Sequence, residues 1–144
     1  MATSITDLAE DLKFKTRLQR TPLPLTEDEY IRFIKDGMKT LFAYTQRSSV
    51  YDKTAYYKED DVLYYPYDLS DMEEIFVLLW AQKGFYEYVA NGVNDLFGYT
   101  TDAISVTNAD KPYANISNTL NKIESEIRTI YLKMVDVTLP LQDD

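Results

Sequence analysis

The chain contains no cysteine and no histidine. These absences remove thiolate nucleophiles, imidazole general bases, the Ser-His-Asp arrangement and the usual zinc ligands together. Most enzyme mechanisms are thereby excluded, and no catalytic residue, metal or cofactor is expected. Glycine and proline are scarce, four and five residues, and three of the prolines, Pro22, Pro24 and Pro140, lie near the ends, a pattern that favours helices. The longest apolar run, Ile75 to Ala81, is seven residues, where a membrane-spanning helix needs about twenty. Met1 to Leu12 has no basic stretch followed by an apolar one, so no secretory signal is expected and the mature chain is expected to begin here. A soluble protein with no membrane partner follows as the expectation. Basic residues are few, 15 against 24 acidic, and the net charge of −9 opposes binding to nucleic acid or an anionic membrane.

At 144 residues the chain is expected to form one domain with one core. The segment from Ile5 to Gln19 places Ile5, Leu8, Leu12 and Phe14 at roughly helical intervals, but is poor in apolar residues; it reads as a helix or a partner-dependent arm. After the Pro22 and Pro24 connector, Thr26 and Glu29 form a capping-box pattern. Ile31, Ile34, Met38, Leu41 or Phe42, and Thr45 then predict a helix over about residues 27–46, with Gly37 its weak point. Ser70 and Glu73 repeat the capping box before a helix that is apolar over more than one face and ends near Asn91-Gly92 or Phe97-Gly98. A third helix is expected from about Tyr113 to Val135, opened by Asp110-Lys111-Pro112. Its Ile116, Leu120, Ile123, Ile127, Ile130 and Met134 make a heptad-like seam that is more often core than interface. The peptide 99–113 resists a periodic reading and is expected to be a shaped connector.

Between the first two of these helices, Tyr51, Tyr56, Tyr57, Tyr64, Tyr65 and Tyr67 fall within seventeen residues, and Val62 to Tyr65 reads as a short strand. Tyrosine combines rigid contact area with a polar tip and is enriched at interfaces, so part of this cluster is expected to meet a partner and the rest to pack over the helices. Lys13, Lys15, Arg17 and Arg20 gather four of the fifteen basic residues in eight positions. They either meet an acidic surface, including that of a second copy, or form a plain solvent face. The carboxylates Glu59, Asp60, Asp61, Asp68, Asp71, Glu73 and Glu74 lack calcium-loop spacing and read as turn and helix-start charges. No glycine-rich phosphate loop is present, and Asn115-Ile116-Ser117, a glycosylation sequon, falls inside a predicted helix.

Taken in order, the capped helix after Leu25-Thr26-Glu27-Asp28-Glu29-Tyr30, the aromatic loop, the apolar second helix and the peptide from Tyr99 through Lys111-Pro112-Tyr113 resemble the head-to-tail connector, or adaptor, proteins of tailed bacteriophages. The resemblance spans about residues 26–135. The longer N-terminal segment and the tyrosine-rich insertion depart from the shorter members of that group. What the resemblance implies is a mostly α subunit: a small bundle of three to four main helices with a tyrosine-rich loop or short hairpin and extended termini. It would assemble in the host cytoplasm into a homo-oligomeric ring, typically of twelve, in the virion neck. Such a ring binds the portal protein on one side and the next neck or tail-completion protein on the other, and DNA passes through without sequence-specific binding. On this reading residues 1–25 are an arm, 26–135 the connector domain and 136–144 a Pro-interrupted, non-helical gripping tail carrying Val137, Leu139 and Leu141. The competing readings are an acidic helical inhibitor that binds a basic partner protein and, more remotely, a two-carboxylate hydrolase, for which no pair of residues stands out.

Overall fold

The computed structural model describes residues 2–17, 25–100 and 106–138, with side chains described up to residue 91 and again from 116 to 135. The protein is mostly helical, with four helices and a small sheet among the described residues. In chain order these are β1 (Thr3–Ser4), α1 (Ile5–Lys15), α2 (Glu27–Tyr44), β2 (Tyr57–Glu59), β3 (Val62–Tyr65), α3 (Asp71–Thr100) and α4 (Val106–Thr138). The sheet is antiparallel in the order β1-β3-β2.

Both capping boxes form. Glu29 N donates to Thr26 Oγ1 at 3.3 Å and Thr26 N to Glu29 Oε1 at 3.0 Å. Ser70 N donates to Glu73 Oε1 at 2.9 Å and Glu73 N to Ser70 Oγ at 3.2 Å. Each box satisfies amides that the first helical turn leaves without partners. The apolar stripe of α2 buries Ile34, Met38, Leu41 and Phe42. Gly37, the apparent weak point, lies against α3: a Cβ there would stand 2.7 Å from the Val77 carbonyl oxygen. The glycine costs helix propensity and permits that contact.

Helices α3 and α4 are antiparallel neighbours. Phe85 and Val89 on α3 cluster with Ile116 on α4, while Phe76 and Val77 share the main core with Ile123, Ile127 and Met134. The seam of α4 is thus intramolecular, with Leu120 and Ile130 partly buried beside it.

Three expectations are corrected. The first concerns residues 1–25, read as a helix or a partner-dependent arm: the helix forms, as α1, but among the described residues 2–17 it is part of the core and not an arm. Ile5, Leu8, Ala9 and Leu12 on α1 are all buried in the main core, and β1 pairs with β3. Thr3 is buried as well; its Oγ1 donates to the Tyr67 carbonyl at 2.5 Å and accepts from Leu69 N at 3.0 Å. Four apolar positions suffice because the sheet and two helices enclose them. The second concerns the peptide 99–113. Helix α3 continues through Thr100 and α4 begins at Val106, so Asp110-Lys111-Pro112 lies inside a helix rather than opening one. Pro112 is the seventh residue of α4, where a proline accepts a helical φ but removes one backbone bond and crowds the carbonyl four residues before it, a local cost that does not end the helix. The third concerns the tail at 136–144. Its first residues, through Val137 and Thr138, belong to α4, and residues 139–144 lie outside the described residues.

Candidate protein interface

The tyrosine cluster surrounds Phe42. The rings of Tyr51, Tyr65 and Tyr67 lie 5.3, 5.9 and 5.3 Å from that of Phe42, and Tyr56 lies 4.8 Å from Tyr65. Their hydroxyls are engaged: Tyr51 Oη and Tyr56 Oη are 2.9 Å apart, and Asp52 N donates to Tyr65 Oη at 3.1 Å. Lys35 Nζ stands 4.8 Å over the Tyr56 ring. Burial pushes the phenols of Tyr56 and Tyr51 up from their ordinary value, so both are neutral donors at physiological pH. Four of the six tyrosines, Tyr51, Tyr56, Tyr65 and Tyr67, therefore belong to a packed aromatic layer. Tyr57 and Tyr64 form a separate stacked pair at 5.6 Å on the hairpin, and Tyr57 is 40% exposed.

The hairpin turn is Asp60-Asp61, with φ of 52° and 65° between the paired Glu59 and Val62. Two central residues at positive φ match the twist of the flanking strands, a geometry that Asn-Gly adopts more readily than Asp-Asp. Its tip projects Glu59, Asp60 and Asp61, all exposed, beside Lys58. Strand β2 is an edge of the sheet, and all three of its residues are exposed.

At the other end of α1 the surface differs. Phe14 is 63% exposed, because it follows the buried Leu12 by two residues and so points about 200° away round the helix. Arg17 stacks on the Phe14 ring at 4.3 Å. Phe14, Lys15 and Arg17 border a cleft of about 530 Å³ whose floor is Ile75, Leu78 and Leu79 of α3 and whose far wall is Glu126 of α4. Ile75 is 45% exposed. A smaller cleft of about 380 Å³ continues from it past Ile75, Leu79 and Glu126 to Lys122. Lys13 and Lys15 occupy the last turn of α1, where positive charge offsets the helix dipole. Of the sequence-predicted cations, Lys13, Lys15 and Arg17 are exposed near this patch, and Arg20 lies outside the described residues. So do Leu139 and Leu141, and the Val137 side chain is likewise not among those described.

A third feature, a groove of about 880 Å³, runs between the end of α2, the start of α3 and Tyr131 and Met134 of α4. Arg47 spans its wall, donating through Nη1 to Tyr67 Oη and through Nη2 to Glu73 Oε2 at 3.0 Å, with its guanidinium over Phe42 and Tyr67. Burial disfavours the guanidinium charge, but the bond to Tyr67 and the attraction of Glu73 outweigh it and hold Arg47 above its ordinary value. This network ties the exit of α2 to the first turn of α3. Sequence reasoning assigned Arg47 nothing, because its partners lie 20 and 26 residues away.

Among the described residues no cluster of three or more carboxylates is placed to hold a metal ion, and no helix is long and apolar enough to cross a membrane. Comparison of the chain with models of protein families, with curated proteins and with solved structures finds no match.

Proposed function

We propose that this protein is a structural subunit of a phage neck: a head-to-tail adaptor that assembles as a ring beneath the portal, receives the next neck or tail-completion protein on its other side and lines the DNA conduit. The observation that carries the reading is the surface at the end of α1, where Phe14 and Ile75 are exposed beside cations on a chain of net charge −9. Exposed apolar area with a polar rim is characteristic of protein contact sites. An acidic subunit also suits a channel, since like charge discourages DNA from adhering as it passes. The chemistry is that of assembly: the helices supply a rigid body, and surface patches supply contacts.

Light scattering and negative-stain imaging of the protein, alone and mixed with candidate portal proteins, test this reading. Rings, or an annulus on a portal, are the expected result. A chain that ignores every portal and instead holds a basic host protein as a monomer or dimer overturns it in favour of the inhibitor reading.

A further inference from the structure

Two exposed surfaces of opposite character lie at different places on the fold. The cleft at the end of α1 has an apolar floor with Phe14 as its rim, and three cations, Lys15, Arg17 and Lys122, against one carboxylate, Glu126. The β2–β3 hairpin tip presents an exposed aromatic, Tyr57, and three carboxylates, Glu59, Asp60 and Asp61, against one lysine, Lys58. The hairpin is pinned to the first turn of α1, where Thr6 Oγ1 accepts from Leu63 N at 2.9 Å. Phe14 is eight residues further along that helix, about 12 Å at 1.5 Å per residue. Among the described residues, none of the hairpin lines either cleft of its own chain.

We infer that the acidic, aromatic tip of one copy docks into the basic, apolar cleft of a second copy. Tyr57 would supply the apolar contact to Phe14 and Ile75, and the three carboxylates would face Lys15, Arg17 and Lys122. The two patches are different surfaces, so the contact is heterologous, and its repetition generates a closed ring or an open filament according to the rotation between copies. Opposite charge sets the register of such a contact and speeds encounter, while like charge rejects the wrong pairing. The inference rests on the neck-subunit reading for its biological setting but not for its test, which uses this chain alone.

Sedimentation of the full chain at low salt, up to about 1 mM, is compared for three proteins. The first is the natural sequence. The second carries Lys15→Glu and Arg17→Glu. The third carries Glu59→Lys, Asp60→Asn and Asp61→Gly, which reverses the tip's charge while installing the turn that positive φ favours, so that folding is preserved. The natural chain should associate, more weakly as salt screens the contact. Each variant alone should associate at least about tenfold more weakly, because both of its patches then carry the same sign. An equimolar mixture of the two variants should recover association, since each now offers the charge the other needs. Association unchanged in both variants overturns this contact and leaves the neck-subunit reading to its own test with the portal. Loss in each variant without recovery in the mixture, or a natural chain monomeric throughout the range, also overturns the contact.

Discussion

The tyrosine layer around Phe42 and the cleft beside Phe14 are both aromatic regions, yet they divide the work of the molecule in opposite ways. In the layer, rings stack on one another, hydroxyls are hydrogen-bonded and a lysine caps the outermost face. At the cleft a single phenylalanine stands in solvent with an arginine on its face. Density of tyrosine in the sequence is the louder signal for an interface, but most of those side chains satisfy each other. The quieter residue, two positions out of step with a buried stripe, is the one left unpacked.

Paired truncations sharpen this contrast, and Trp80, the sole tryptophan, packed among Tyr44 and Phe76, provides a fluorescence reporter of unfolding. Phe42→Ala should lower the stability measured in urea by about 3–5 kcal/mol, the usual cost of emptying a large core site. Phe14→Ser should change it by less than about 0.5 kcal/mol, as expected of a surface site. Equal losses at the two positions would erase the distinction between layer and cleft.

Gly37→Ala tests the frame on which both regions rest. Helix propensity alone favours alanine by about 1 kcal/mol, but the added methyl would meet the Val77 carbonyl at 2.7 Å. A net loss of about 1–3 kcal/mol in urea is expected from the overpacking. A gain would mean that α2 and α3 separate without cost.

The smallest expected effect lies at the start of α3. Burial, followed by the neighbouring Asp71, Asp11 and Asp68, pushes the Glu74 carboxyl up from its ordinary 4.5. A raised carboxyl disfavours the charged form in the folded state, so its repulsion is felt above the folded pKa and disappears below pH 4.5. Glu74→Gln should therefore raise stability at pH 7 by roughly 0.5 kcal/mol after solvent screening. That gain should vanish as the pH falls below 4.5. A gain that persists in acid would point to packing rather than charge.

How far these regions were legible in the sequence follows the range of the interactions that build them. The starts of α2 and α3 were readable because a capping box is a contact three residues long. The strand Val62–Tyr65 was readable from its β-branched and aromatic run. Strand β1 was not, for two residues carry no period and Thr3 finds its partners 64 and 66 positions away. Burial of α1 was missed for the same reason: its four apolar residues look sparse until the hairpin and two helices close over them. The start of α4 was masked by Pro112, which signals a helix start locally but sits within the helix here. At the interface, Lys13, Lys15 and Arg17 were visible as a charge cluster, whereas Phe14 was counted with the apolar positions of a helix or partner-dependent arm and Ile75 fell within the apolar run of the second helix.

Hydrogen exchange compared between the dilute subunit and its assembled form tests the division between layer and cleft most directly. New protection should appear at residues 13–17 and at the hairpin tip 57–61, while amides beneath the tyrosine layer at 41–47 should keep the protection they already have as part of the core. Protection gained along the Arg47 groove instead, with residues 13–17 and 57–61 unchanged, would contradict it.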